Sequence, residues 1–311
     1  MKNILKATEE NILKSAQIIQ NGGLVAMPTE TVYGLGANAF IPQSVAKIFE
    51  TKNRPSFNPL ISHISDMEMI QDIGIADDRF YALAKHFWPA PLTFVIKRTN
   101  PKLDLACAGL DSATVRMPNH PIALELIKKA GVPIVAPSAN LSTTISPTTA
   151  QHVYESLGNK VDIILDGGAC QIGVESTIID LTTSNVVLLR AGGLEVEKIE
   201  EFLNEKVIFS ISDPNAPKSP GQMLKHYAPN KKLRINIEKP QDDEFYIGFG
   251  DVDCHLNLSK RKNLLEASAN LFAFLRLADK NKEFKKIAIS PIPTNGLGLA
   301  INDRLGRAKH D

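Results

Sequence analysis

The stretch Met27-Pro28-Thr29-Glu30-Thr31-Val32-Tyr33-Gly34-Leu35-Gly36 decides how this chain folds. The apolar run Leu24 to Met27 reads as a buried strand, and Pro28 stops it where the polar cluster Thr29, Glu30, Thr31 begins. Ligands in open α/β sheets bind beyond the carboxyl ends of strands, so hydroxyls delivered to that end are site candidates. Gly34 and Gly36 let the backbone pass close to something bulky or adopt positive φ.

Outward from this stretch the device recurs. Ile134-Val135-Ala136 reads as a strand that ends in Pro137-Ser138-Ala139-Asn140, ahead of a loop rich in hydroxyls over residues 142–149. Thr114–Met117 reads as a short strand presenting Arg116, Leu60–Ile64 as one carrying His63, and Val186–Arg190 as the partner of Ser176–Asp180. Between them, Lys52-Asn-Arg-Pro-Ser-Phe-Asn-Pro-Leu60 reads as an extended segment stiffened by Pro55 and Pro59, with Lys52 and Arg54 facing one way. Such a pair suits phosphate oxygens, since arginine offers a planar fork of donors and lysine a point charge. Helical patterns alternate with the strands: a Thr8-capped helix ending at Asn21-Gly22-Gly23, then about 44–50, 66–73, 77–87, 121–130, 149–157 and 195–203. Alternation of this kind predicts an α/β sheet domain over residues 1–209.

Beyond it the composition changes. Residues 210–230 carry four prolines and read as an extended, semi-rigid linker, yet His226 and Tyr227 are costly residues for an inert spacer. That suggests a lid over residues 219–229. Strands at Leu233–Ile237, Phe245–Gly250 and Ile287–Ile289, with a helix at Leu264–Ala278, predict a small α/β domain over residues 231–311.

Length and composition fit two cores: 311 residues, 43% of them apolar. A formal charge of +1 argues against a globally polyanion-binding protein. Residues 231–311 hold 15 Lys and Arg against 11 Asp and Glu, a balance of +4, which leaves −3 for residues 1–230. The three cysteines, Cys107, Cys170 and Cys254, lie far apart without a C-x-x-C, which fits a reducing cytoplasm and neither a disulfide framework nor a zinc ribbon. No secretory leader pattern and no run of 18 apolar residues is present, so the chain reads as soluble, cytoplasmic and without a membrane partner.

Taken together, Pro-Thr-Glu-Thr-Val-Tyr-Gly-Leu-Gly, Lys-x-Arg-Pro-x-x-x-Pro-Leu, Pro-Ser-Ala-Asn, Glu-Ser-Thr-Ile and Ser-Pro-Gly-x-x-x-x-His-Tyr-Ala-Pro closely resemble the L-threonylcarbamoyladenylate synthases in their longer, two-domain form. The resemblance covers nearly the whole chain. It implies a YrdC-like twisted open mixed sheet around a large cavity, a linker, and a small Rossmann-like carboxy-terminal domain. The implied reaction joins ATP, L-threonine and bicarbonate into threonylcarbamoyl-AMP with release of pyrophosphate. The implied partner is the machinery that transfers the threonylcarbamoyl group to tRNA, with weak tRNA contact as a further option. By motif match, Lys52 and Arg54 would be catalytic and hold ATP. Asn58, Ser112, Ser138, Asn140, Ser146, Arg190, His226 and Tyr227 would complete the ATP side. Thr31, His63, Arg116, Ala136 and Ser176 would bind L-threonine. Mg²⁺ is expected with ATP, bound through phosphates and water, because no tight carboxylate cluster is evident. The chain offers neither a G-x-S-x-G elbow nor an H-E-x-x-H, consistent with a reaction whose nucleophile comes from the substrate.

Two rival readings differ in kind. An RNA-binding module on a YrdC-like fold would want an aromatic stacking series, and residues 1–230 are net acidic. A carbamoyl-transfer maturation factor shares a YrdC-like domain but adds C-x-x-C zinc fingers and an acylphosphatase domain, neither of which this sequence contains.

Overall fold

The computed structural model describes residues 3–210 and 226–309. In chain order the first unit runs β1 (Ile4–Lys6), α1 (Glu9–Gln20), β2 (Val25–Met27), β3 (Gly34–Asn38), α2 (Pro42–Lys52), β4 (Ile61–His63) and β5 (Gly74–Ile75). It continues through α3 (Asp78–Phe87), β6 (Leu92–Arg98), β7 (Ser112–Arg116), α4 (Pro121–Ala130), β8 (Ile134–Val135), α5 (Ala150–Leu157) and β9 (Ile163–Asp166). β10 (Thr177–Asp180), β11 (Val187–Arg190), α6 (Val196–Leu203) and β12 (Ile208–Phe209) close it. These strands form one mixed sheet in the order β1-β9-β2-β3-β8-β4-β7-β6-β10-β11-β12, with β5 paired to β6.

Local chemistry sets the elements. The Thr8 hydroxyl accepts from the Asn11 amide to start α1, and Asn21 followed by Gly22 at φ +82° ends it. β2 is buried at all three positions, which is why its run is continuously apolar rather than alternating. One face of the sheet is covered by α1 and α4, whose Ile12, Ala16, Ile19, Leu126 and Ile127 pack with Val25, Met27 and Leu165. The other face packs Leu35, Ile48, Phe49, Phe80, Phe94 and Val115.

The second unit is a parallel four-stranded sheet in the order β13 (Lys232–Arg234), β16 (Lys286–Ile289), β14 (Glu244–Gly248), β15 (Leu256–Asn257). α7 (Leu264–Lys280) and α8 (Leu297–Ala308) accompany it. Its core of Leu271, Phe272, Leu275, Ile289 and Ile301 continues into Val32, Ile145 and Val174 of the first unit, so the two share an apolar seam. Within residues 210–230 only Ser210 and 226–230 are described; most of the expected 219–229 lid lies outside the described residues.

Several elements depart from the sequence expectation. Lys52 does not sit on an extended segment: it is the last residue of α2, and Asn53 caps that helix in the left-handed region at φ 50°. Asparagine tolerates that conformation, so the helix carries on to the lysine before the chain turns. Residues 34–38 form a strand antiparallel to β2, hidden from propensity by two glycines. Gly36 is there for close approach, since a Cβ on it would lie 2.9 Å from Ile134 Cγ2. Residues 67–72 form a 3₁₀ helix rather than an α-helix. The short strands β1 and β15 carry too few residues to show a period.

Candidate functional site

Strand register brings together residues expected to bind L-threonine. Ile134 faces His63, His63 faces Arg116, and Arg116 faces Thr93 across four neighbouring strands, so these side chains form one row on one face of the sheet. The polar turn after β2 folds over that row. Arg116 Nη1 donates to Thr31 Oγ1 at 3.0 Å, and Arg116 Nη2 lies 2.5 Å from Glu30 Oε1. Both partners of the ion pair are almost fully buried, and the approach is off-axis, so the contact is ionic rather than a well-directed hydrogen bond. Thr29 donates to the Val32 carbonyl at 2.6 Å and lies 2.8 Å from Thr31 Oγ1. With the proton of Thr29 committed, Thr31 donates to Thr29 and keeps a lone pair for the cavity.

His63 is buried, and burial followed by the Arg116 charge pulls its pKa down to about 3, so the ring is neutral at physiological pH. Its Nδ1 lies 3.1 Å from the Ile61 carbonyl. A carbonyl accepts only, so Nδ1 carries the proton and Nε2 is an acceptor. Ser176 Oγ lies 2.8 Å from Thr93 Oγ1 and accepts from Arg190 Nη2 at 3.1 Å.

The opposite wall is cationic. Arg54 donates to the Asn58 and Pro59 carbonyls at 3.3 and 3.0 Å, which aims its guanidinium from the loop after α2 into the cavity. Burial draws Arg54 and Arg190 down to about 10, and both stay cationic at neutral pH. Lys52, 1% exposed, reaches the Ser138 and Asn140 carbonyls at 2.5 Å each. Burial, then the charge of Arg54, pushes its pKa well below the ordinary lysine value. It clasps the strand end Pro137–Asn140 from behind. Glu175 accepts from Ser146 Oγ at 2.6 Å and from Arg304 Nε of α8 at 2.7 Å. Burial alone would raise Glu175, but Arg304, Arg190 and the Ser146 hydroxyl outweigh it and hold the carboxyl at about 2. The His226 and Tyr227 rings, 3.9 Å apart, close this side.

Of the fifteen residues expected from the sequence, ten line one cavity: Thr31, Arg54, His63, Arg116, Ala136, Ser138, Ser176, Arg190, His226 and Tyr227. Lys52, Asn140 and Ser146 stand behind that wall, bonded to it through carbonyls or Glu175. The backbone carbonyl of Asn58 holds Arg54, and Ser112 lies at the far end of β7 from Arg116. Sequence reasoning missed Glu175, Glu30 and Arg304. Glu175 stands directly before Ser176 in the quoted Glu-Ser-Thr-Ile, so its position was visible although its role was not. Nothing local marks Arg304, which comes from another domain.

Fold and cavity together define an α/β protein of the YrdC-like class with an added carboxy-terminal domain. A family model described as "Telomere recombination" matches residues 17–192, and one described as "Threonylcarbamoyl-AMP synthase, C-terminal domain" matches residues 194–309. The chain is 41% identical to the threonylcarbamoyl-AMP synthase of Pyrococcus abyssi over 98% of its own length and 96% of the relative's. It is 40% identical to that of Bacillus subtilis, over 98% and 94%. The crystal structure of P. abyssi Sua5 complexed with L-threonine superposes with a TM-score of 0.91 at 39% identity, covering 98% of this chain and 96% of that one. This chain belongs to the threonylcarbamoyl-AMP synthase family.

Proposed function

We propose that the chain makes threonylcarbamoyl-AMP from ATP, L-threonine and bicarbonate, releasing pyrophosphate. The observation that carries this reading is the single cavity in which Arg116, Thr31, His63 and Ser176 face Arg54, Arg190 and Ser138. In it the Arg116 fork takes the substrate carboxylate by charge-assisted hydrogen bonds, while the Thr31 oxygen and neutral His63 accept from its amine and hydroxyl. The free amine adds to the bicarbonate carbon, water departs, and the ammonium proton is released to solvent. A carboxylate oxygen of the resulting carbamate attacks the α-phosphorus of ATP, forming one P–O bond as the bond to pyrophosphate breaks. No side-chain nucleophile is required; the protein positions the reactants and offsets phosphate charge with Arg54, Arg190 and the more distant Lys52.

Among the described residues no group of three or more His, Cys, Asp or Glu could hold a metal ion, and Glu175 is engaged by Arg304 and Ser146. This donor set fits Mg²⁺ arriving on the phosphates, where it would offset their charge, rather than a metal held in a protein cage. The cavity measures about 50 Å³ with His226 and Tyr227 in its wall, far below the several hundred cubic ångström of a ligand-sized pocket. Withdrawal of those two rings on ATP entry, and their return to exclude water from the mixed anhydride, is therefore part of the proposal. So are the functional division into residues 1–209, 210–230 and 231–311, a cytoplasmic location, and product delivery to the tRNA threonylcarbamoyl-transfer machinery. No helix among the described residues is long and apolar enough to cross a membrane. The test is pyrophosphate release with each substrate omitted in turn. Release that needs ATP, L-threonine and bicarbonate together supports the reading, and release independent of threonine would overturn it.

A further inference from the structure

The carboxy-terminal domain sends one buried side chain to the cavity wall. Arg304 of α8 is 1% exposed; its Nε meets Glu175 at 2.7 Å, its Nη1 donates to the Ala191 carbonyl at 2.9 Å, and its guanidinium lies over the Tyr227 ring at 5.5 Å. Tyr227 in turn stacks on Phe272 of α7, with ring centroids 5.4 Å apart. Among the described residues Glu175 is the one carboxylate in a lining that also carries the cations Arg54, Arg116 and Arg190. Left unpaired there, it would repel a triphosphate and weaken the cluster that Arg54, Arg190 and Lys52 build.

We infer that Arg304 is a positioning residue for the nucleotide: by pairing with Glu175 it cancels the carboxylate's repulsion of ATP and, through Glu175, holds Ser146, so the carboxy-terminal domain completes the ATP side. This rests on ATP being a substrate of the cavity. It follows that Arg304 acts through charge on one ligand and leaves His63 of β4 and Arg116 of β7, on the other side of the cavity, largely alone. Removing both charges at once should then undo most of the damage of removing one, since a buried pair replaced as a pair is far less costly than one broken in half.

The full-length protein is assayed for pyrophosphate release with ATP and L-threonine varied separately. Arg304→Gln should raise KM for ATP by about tenfold or more while KM for threonine changes by less than about threefold. Arg304→Lys, which keeps the charge, and the double variant Glu175→Gln/Arg304→Gln, which removes both charges, should each recover most of the loss. Equal rises in both KM values, or a double variant no better than Arg304→Gln alone, would overturn the inference. Should Arg304→Gln fail to fold, the lysine and double variants decide it: both must hold KM for ATP within about threefold of wild type. An inactive wild type in the presence of all three substrates would instead count against the functional reading itself.

Discussion

Replacing His63 by glutamine tests the state of the cavity directly. The unfolded chain binds a proton on this residue below its ordinary pKa of 6.5, whereas burial beside Arg116 keeps the folded ring neutral until about pH 3. Between those values the unfolded state holds one more proton than the folded state, so stability rises with pH by up to about 1.4 kcal/mol per unit. Taken from pH 8 down to pH 5, this one residue costs about 2 kcal/mol, set against the 5–15 kcal/mol or so of a typical domain. His226, drawn down to about 3 by burial, and His152, drawn down to about 4 by burial, act in the same direction, so the total acid loss is larger. The informative quantity is the difference between variant and wild type. Glutamine can still donate to the Ile61 carbonyl but does not titrate. Urea denaturation at pH 8 and pH 5 should show the variant losing about 2 kcal/mol less than wild type over that interval. Equal losses would mean that His63 titrates normally in the folded state, and its reading as a neutral acceptor would fail with it.

Two further substitutions probe other parts of the wall, and a third probes the seam between the two units. Arg54→Ala should slow pyrophosphate release by about a hundredfold to a thousandfold with the fold intact by circular dichroism, the scale for losing one preorganised charge donor; a wild-type rate would refute its assignment. Arg116→Lys keeps a cation for Glu30 but loses the planar fork, so calorimetry should show threonine affinity falling by about tenfold or more and ATP affinity much less. Equal losses for the two ligands would count against a divided cavity. Gly173 has φ +75°, and a Cβ there would lie 2.3 Å from Ser268 O and 2.6 Å from Ala269 Cα of α7. Gly173→Ala should therefore lower stability by about 1–3 kcal/mol in urea, and an unchanged midpoint would show that the two units are not packed this tightly.

What the sequence made legible follows from how far each interaction reaches along the chain. The buried strands at Val25–Met27 and Ile134–Val135 announce themselves as apolar runs, and proline after a strand marks where the cavity lies, because both signals are local. His63 and Arg116 could be placed on strands, but their adjacency comes from the parallel register of β4 and β7, which no local pattern encodes. Lys52 shows the limit of reading charge along a segment. Its spacing from Arg54 suggested two cations aimed together, whereas the left-handed turn at Asn53 sends them to different carbonyls. Arg304 lies further still from any local signal, 129 residues from the carboxylate it meets. A buried arginine on a helix of the second domain has no reason to be there for that domain's own core, which is apolar. Its charge is met by Glu175 of the cavity wall, by the Ala191 carbonyl and by Asp303 beside it on α8, so two of its three partners belong to the first unit. That is why, of the second domain's charges that meet the first unit, Arg304 bears on the cavity, while Lys280 on Glu155 and Arg276 on the Ile145 carbonyl meet residues outside its lining.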